Sequence, residues 1–201
     1  MEEFHHALKF KYELCIGCSH CTGVCPTAAI HVQNGKPILD PNRCIDCGRC
    51  YLSCPVNAIY IDQDDFQTIY KYKYPVLLVP SFFSSQFQER ISNKAILSAF
   101  YHLGFKKVYE VERSVNLLKE RYQELLQNEN TDKPVISSFC PAIVRLIQVK
   151  FPSLVNNISR IKPPLDITAL FIKKSLENEG VDPKDIGIFY VTPCAAKIAA
   201  I

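Results

Sequence analysis

Apolar and polar residues alternate in blocks along most of the chain, and the blocks predict strands that alternate with helices. Strands are predicted at 75–80, 106–111, 134–139 and 186–191. Helices are predicted between them at 84–103, 115–127, 142–150 and 167–178. This order favours an α/β domain with a largely parallel sheet. Functional groups in such sheets lie just beyond the carboxyl ends of strands, which is where Ser81, Cys140 and Cys194 are expected.

The segment 1–62 follows a different pattern, because a cysteine string occurs there twice. CIGCSHCTGVCP runs from Cys15 to Pro26, and CIDCGRCYLSCP runs from Cys44 to Pro55. The repeat extends to CPTAAIHV (25–32) and CPVNAIYI (54–61). Repetition at a fixed offset implies two similar halves packed about a pseudo-twofold axis.

Both strings fit C-x2-C-x2-C-x3-C-P and resemble the bacterial two-cluster ferredoxins, in which the fourth cysteine of each run ligates the other cluster. The resemblance implies two 4Fe–4S clusters. The first would be held by Cys15, Cys18, Cys21 and Cys54. The second would be held by Cys44, Cys47, Cys50 and Cys25. Soft thiolate ligands suit iron in such clusters.

Two other kinds of cysteine-rich site fit this pattern less well. A disulfide framework is typical of secreted proteins, but the opening segment MEEFHHALKFKYEL lacks the apolar stretch of a signal peptide. Zinc sites usually pair C-x2-C units across longer gaps.

Composition excludes several function classes. A net charge of +3, without a basic run interleaved with aromatics, gives no support for nucleic-acid binding. No apolar stretch approaches the roughly 18 residues of a membrane span. Reduced thiols favour a cytoplasmic location. His5 and His6 are expected to form a solvated tail, and His20 is expected to be a surface residue near a cluster.

These patterns predict an α+β ferredoxin-like two-cluster domain followed by an α/β domain with a largely parallel sheet. The predicted boundaries are 1–62 for the first domain, 63–74 for a linker or edge strand, and 75–201 for the second domain.

Two of the ten cysteines, Cys140 and Cys194, remain outside the repeated strings, and each touches a proline. They could be buried structural thiols, since cysteine behaves as a small hydrophobe. A nucleophile would need a paired base, which no histidine pattern suggests, and a disulfide would not persist in a reducing compartment. Shared ligation of another metal cluster is the fourth alternative.

The segments SSFCP (137–141) and TPCAAK (192–197) resemble the first two motifs of the catalytic domain of the iron-only (FeFe) hydrogenases. The likeness extends to VPS (79–81), LGFKKVYEV (103–111) and GVDPKDIGIFYVTPC (180–194). In that family the H-cluster is a 4Fe–4S cube joined through one cysteine to a two-iron unit with CO, cyanide and a bridging dithiolate amine. The resemblance implies that Cys140 and Cys194 are two of the four cube ligands. It also implies that Lys197 binds one cyanide and that Ser81, with Pro80, lines the other.

The sequence departs from the family pattern at three places. Phe139 replaces the cysteine that relays protons in catalytic members, and Thr192 replaces a common methionine. A positioned acid–base group contributes roughly 10²- to 10⁴-fold, so slow turnover is expected, as in the sensory branch of the family. The sequence also stops at Ile201, before the third cysteine motif. The stop predicts that the sequence is a truncated reading frame, a gene fragment or an excised part of a longer protein. Alternatively, another polypeptide supplies the missing ligands of the site.

The leading hypothesis is an iron–sulfur electron-transfer protein derived from an iron-only hydrogenase of the sensory type. The intact parent would catalyse reversible oxidation of H2 to protons, whereas this chain would be slow or inactive. Its partner would be a redox protein such as a ferredoxin. One alternative is a non-enzymatic electron carrier or interaction module. Another is a signalling component that contacts a kinase or phosphatase domain.

Overall fold

The computed structural model describes residues 5–128 and 134–201. The helices, in chain order, are α1 His20–Gly23, α2 Arg49–Ser53, α3 Asn93–His102, α4 Val115–Asn128, α5 Pro141–Lys150, α6 Pro164–Asn178 and α7 Ala195–Ala199. The strands are β1 Leu8–Phe10, β2 Ile30–Gln33, β3 Lys36–Leu39, β4 Ile59–Ile61, β5 Tyr74–Val79, β6 Lys107–Glu110 and β7 Ile186–Tyr190.

The chain forms two compact units, each built from separate stretches of sequence. The first contains Met1–Gln63, Lys133–Arg160 and Pro193–Ile201, and the second contains Asp64–Asp132 and Ile161–Thr192. This division differs from the predicted boundaries, because two later segments join the ferredoxin-like part. The reason is local packing, since Ala195 is buried in the same apolar core as Leu8 and Cys50. Positions 1–4 of the predicted first domain lie outside the described part of the chain.

The ferredoxin-like part of the first unit consists of two antiparallel strand pairs and two short helices. β1 pairs with β4, and β2 pairs with β3. The β2–β3 hairpin turns at Asn34–Gly35, where the two residues have positive φ values of 52° and 72°. Asn-Gly is the preferred pair for such a tight turn, because both residues tolerate the left-handed region.

The two copies of the cysteine repeat also share their backbone conformation. Gly17, Ser19 and Ala28 of the first copy have positive φ, and each has a counterpart with positive φ at the matching position of the second copy. The pairs are Gly17 with Asp46, Ser19 with Gly48, and Ala28 with Asn57. Non-glycine residues rarely adopt this region, so the shared positions indicate one loop geometry built twice.

The later segments of the first unit surround Cys140 and Cys194. The predicted strand at 134–139 was wrong, because that segment forms only an isolated parallel bridge between Ile136 and Ile158. Only Val135 and Ile136 provide an apolar run after Pro134, which is too short for a buried strand. Cys140 therefore follows an irregular segment. α5 and α7 contact each other within this unit.

The second unit contains the predicted parallel sheet, with strand order β6-β5-β7. β5 is buried from Pro75 onward, as expected for a strand covered on both faces. Val76 and Leu78 lie in a core with Ile172 of α6. Leu77 and Val79 lie in another core, whose buried members also include Ile69 and Phe105.

Two segments of the second unit differ from their predicted structure. Phe66–Lys71, within the predicted linker, forms a 3₁₀ helix whose Ile69 is buried. The helix predicted at 84–103 begins only at Asn93, because the Ser92 hydroxyl accepts a hydrogen bond from Ala95 N at 3.2 Å and caps the helix there. Across the described residues, the structure has no helix with both the length and the apolar character needed to cross a membrane.

Candidate metal centres

The structure brings together the four cysteines predicted for the first cluster. They line one cavity that is partly open to solvent. Phe10, Val32, Pro37 and Ile59 form part of its apolar wall. Cys18 is exposed, whereas Cys15, Cys21 and Cys54 are partly buried. His20 is exposed at the same cavity, as expected.

The four cysteines predicted for the second cluster line a separate cavity. Cys44 and Cys50 are buried, Cys25 is partly buried and Cys47 is exposed. Each cavity thus receives three cysteines from one string and the fourth from the other. This is the crossed arrangement that the ferredoxin resemblance implies, and none of the cysteines is in a disulfide.

Backbone N–H groups point at several of these sulfur atoms. Ala29 N lies 3.2 Å from Cys25 Sγ, and Ala58 N lies 3.2 Å from Cys54 Sγ. Asp46 N lies 3.4 Å from Cys44 Sγ. Donors aimed at sulfur stabilise the thiolate form, which is the form that binds metal. The cavities therefore fit an iron–sulfur cluster in both donor type and sulfur environment.

Burial opposes ionisation of several of these thiols in the absence of metal. Burial is the main cause that raises the pKa of Cys44 and of Cys50 to about 12, and the charges of neighbouring groups, including cysteines of the same set, act in the same direction. Burial also raises the pKa of Cys21. At Cys25 burial acts in the same direction, but hydrogen bonds, chiefly from Ala29 and Thr27, outweigh it and the pKa is lowered. Metal binding at the second set must therefore displace protons from buried thiols.

A buried contact between His6 and Asp46 adjoins the second cavity, and the sequence analysis did not predict it. His6 was expected in a solvated tail, but it is 7% exposed and its Nδ1 lies 2.6 Å from Asp46 Oδ2. Asp46 Oδ1 accepts hydrogen bonds from Ala7 N at 3.1 Å and Leu8 N at 3.3 Å. His5 is exposed, as expected. The available signal was the acid at Asp46, where the first string has a glycine.

Cys140 and Cys194 occupy equivalent positions at the starts of two contacting helices. Both have an extended backbone, with φ of −107° at Cys140 and −99° at Cys194. The Cys140 carbonyl accepts hydrogen bonds from the first-turn N–H groups of α5, and the Cys194 carbonyl does the same for α7. Cys140 is exposed, and Cys194 is partly buried. Lys197 lies one turn after Cys194 and is also partly buried.

Ser81 belongs to the second unit, where it follows β5 and the buried Pro80. It is exposed, and its backbone N–H donates to Glu112 Oε2 at 2.7 Å. Glu112 follows β6, so both groups lie beyond the carboxyl ends of neighbouring parallel strands, as expected for Ser81. Phe139, in the first unit, donates its backbone N–H to Ser137 Oγ at 3.3 Å.

Comparison with known families identifies both parts of the chain. Residues 14–59 match the 4Fe-4S dicluster domain, and residues 73–199 match the C-terminal domain of the iron-only hydrogenase large subunit. The second match covers more than half of the chain. The chain belongs to the iron-only hydrogenase large-subunit family. The recognition based on SSFCP and TPCAAK is thereby confirmed.

Individual relatives are similar over part of their length. Iron hydrogenase 1 of Clostridium pasteurianum is 32% identical over 106 residues, which cover 51% of this chain and 18% of that protein. The cytosolic Fe-S cluster assembly factor NAR1 of Scheffersomyces stipitis is 30% identical over 111 residues, covering 52% of this chain and 20% of that protein. The chain thus matches about a fifth of the length of these two relatives.

A solved FeFe-hydrogenase structure has a related fold. It superimposes with a TM-score of 0.50 and 22% identity, covering 62% of this chain and 35% of the hydrogenase. Together with the family matches, this makes the chain an iron–sulfur protein related to the FeFe hydrogenases.

Proposed function

We propose that this chain is an electron-transfer module of the iron-only hydrogenase family and that it holds two 4Fe–4S clusters. The observation that carries the proposal is the crossed cysteine arrangement, with four sulfur ligands around each of two cavities. When bound, each cluster supplies a one-electron redox centre.

Other residues of each cavity donate hydrogen bonds to the sulfur ligands or shield the cluster from water. Ala29 N and Ala58 N donate to the sulfur atoms that cross between the strings, which stabilises thiolate character. Phe10 and Ile59 exclude water from one wall of the first cavity, and Leu8 and Ile30 do so in the second. A partner that exchanges electrons, such as a ferredoxin, would approach the exposed Cys18 or Cys47.

In the intact hydrogenase parent, a third centre would use Cys140 and Cys194. Their position at the starts of α5 and α7 supports shared ligation, and a complete cube needs two further ligands from outside this sequence. Lys197 and Ser81 are the candidates for binding the two-iron unit. The side chain of Phe139 carries no exchangeable proton, which favours slow turnover and the sensory type over a fast hydrogenase. A reducing, cytoplasmic location is proposed from the ten unbridged cysteines.

A second candidate function is iron–sulfur cluster assembly without hydrogen chemistry. The similarity to the NAR1 assembly factor favours it, and Phe139 is compatible with it because assembly requires no proton relay. In that case the bound clusters would pass to an acceptor protein or stabilise a complex.

Stoichiometric reduction tests the proposed function. Anaerobically purified protein should take up about two electrons from dithionite per chain, reversibly, and develop the EPR signal of reduced 4Fe–4S clusters. Protein that loads iron but shows no reversible reduction would contradict an electron-transfer role. Loss of cluster from the chain to a cluster-free ferredoxin, faster than to buffer, would favour the assembly function.

A further inference from the structure

A lysine holds two backbone carbonyls of the first cysteine loop. Nζ of Lys36 lies 2.8 Å from the carbonyl oxygen of Tyr12 and 2.8 Å from that of Cys15. Lys36 begins β3 directly after the tight turn at Asn34–Gly35, and the Gly35 carbonyl lies close to Gly17 of the loop that contains Cys15. The ammonium group is therefore fixed beside a predicted ligand of the first cluster.

An arginine holds the equivalent carbonyls of the second loop. Arg145 donates from Nε to the Cys44 carbonyl at 3.0 Å and from Nη2 to the Pro41 carbonyl at 3.2 Å. In the second copy of the repeat, Pro41 and Cys44 occupy the positions that Tyr12 and Cys15 occupy in the first. The same two carbonyls in each copy are thus held by a cation, although the two cations come from unrelated parts of the chain.

The extent of the repeat explains why the second cation has a different source. The matched segments stop at 32 and 61, so β3, which carries Lys36, has no counterpart in the second copy. The residue at the same offset, Asp65, lies beyond the repeat and belongs to the second unit. The missing cation is supplied by α5, the helix that begins directly after Cys140.

We propose that Lys36 and Arg145 are equivalent positioning residues, each of which fixes the loop and raises the reduction potential of one cluster. Because Arg145 lies in α5, the reduction potential of the second cluster depends on the helix that follows Cys140. This inference rests on the proposed function, which assigns Cys15 and Cys44 to different clusters.

Electrostatics gives the expected direction of the effect. Reduction adds one negative charge to a cluster, so a cation held close by stabilises the reduced state and raises the potential. The guanidinium of Arg145 has a fixed planar fork of N–H donors, which suits two neighbouring acceptors. Lys36 acts as a point charge with rotatable donors.

Redox titration of matched variants in the full, cluster-loaded chain tests the inference. Arg145→Gln should lower the midpoint potential of one cluster, Lys36→Gln should lower that of the other, and the double variant should lower both. Arg145→Lys should recover part of the shift, because it restores the charge without the fork. The inference is overturned if both single variants lower the same potential, or if Arg145→Gln moves neither.

Single-cluster backgrounds assign the two potentials. Cys18→Ala should leave only the second cluster, and Cys47→Ala should leave only the first. Arg145→Gln should then lower the potential in the Cys18→Ala background and leave it unchanged in the Cys47→Ala background. The reverse dependence would contradict the assignment of Arg145 to the second loop.

Arg43 provides a control for the loss of a positive charge. It directly precedes Cys44, is exposed and makes no side-chain hydrogen bond within the described residues. Arg43→Gln should shift the midpoint potential of the second cluster less than Arg145→Gln does. An equal shift would show that the hydrogen bonds of Arg145 to the Pro41 and Cys44 carbonyls have no role.

Iron content separates this inference from the proposed function. Wild type that binds about eight irons but shows unchanged potentials in Arg145→Gln rejects only the positioning role. Wild type that binds no iron rejects both. If Arg145→Gln itself drops to about four irons, the inference requires that Arg145→Lys retain about eight and that Arg43→Gln lose none.

Discussion

The two halves of the cysteine repeat share a backbone but differ in their surroundings. Positive φ values recur at matched positions in both copies, yet Cys44 and Cys50 are buried while their counterparts Cys15 and Cys21 are only partly so. The second loop also contains Asp46, whose side chain accepts hydrogen bonds from Ala7 N and Leu8 N, whereas Gly17 occupies that position in the first loop. The duplicated geometry therefore specifies how a cluster is held, and the surroundings specify how accessible it is.

The surroundings differ because the second half is joined by segments from outside the repeat. Arg145 of α5 binds its loop carbonyls, and Ala195 of α7 lies in the same core as Cys44 and Cys50. Four predictions test the comparison, in order of decreasing effect.

The largest effect should come from pairs of cysteine substitutions that test the crossed ligation. Cys25→Ala and Cys44→Ala should each leave about four irons, because each removes a ligand of the second cluster. Their combination should also leave about four irons. Cys25→Ala combined with Cys15→Ala should leave almost none, because the two cysteines serve different clusters.

Iron analysis of the anaerobically reconstituted proteins distinguishes these outcomes. A Cys25→Ala, Cys44→Ala double variant that retains almost no iron would show that the two cysteines belong to different clusters, and the crossed assignment would be wrong.

The second prediction concerns the rate of cluster loss. Chelator should remove iron several-fold faster from the first cavity than from the second, because solvent reaches Cys15 and Cys21 more readily than Cys44 and Cys50. Absorbance in the visible range would follow the loss in Cys47→Ala, which keeps the first cluster, and in Cys18→Ala, which keeps the second. Equal rates would mean that burial of the ligands does not control access.

The third prediction concerns the buried pair of His6 and Asp46. His6→Ala should leave Asp46 Oδ2 buried without its hydrogen-bond partner, at a cost of about 1–3 kcal/mol. In a chain of this size, that corresponds to a fall of roughly 2–12 °C in the midpoint of thermal unfolding. His5→Ala is the matched control, since His5 is exposed, and it should have little effect. Equal midpoints for both variants would argue against a structural role for the pair.

The smallest effect should come from the matched left-handed residues Ala28 and Asn57, which both have φ of 51°. Ala28→Gly should stabilise the protein by up to about 1 kcal/mol, because alanine is strained in this region and glycine is not. Asn57→Gly should gain less, because asparagine tolerates the region better. Anaerobic thermal unfolding of the two variants measures the difference, and a larger gain at Asn57 would contradict this explanation.

The sequence allowed accurate prediction where a local pattern specifies the structure. The resemblance of the cysteine strings to the two-cluster ferredoxins implied the two sets of four cysteines that line the two cavities, and the apolar run at β5 predicted a buried parallel strand. The prediction of a strand at 134–139 was wrong. The apolar run there is limited to Val135 and Ile136, and Ile136 forms a single bridge with Ile158, which is distant in sequence.

Contacts distant in sequence account for the other differences. His6 lies 40 residues from Asp46, and Arg145 lies 101 residues from Cys44. No periodicity or motif specifies either contact, and for the same reason the later segments 133–160 and 193–201 could not be assigned to the ferredoxin-like unit from the sequence.

Measurement of iron and acid-labile sulfide in the anaerobically purified wild-type chain tests the central claim most directly. Two 4Fe–4S clusters predict about eight iron and about eight sulfide per chain. About four of each would mean that only one cavity holds a cluster, and a value near zero would contradict the assignment of the cysteines as cluster ligands.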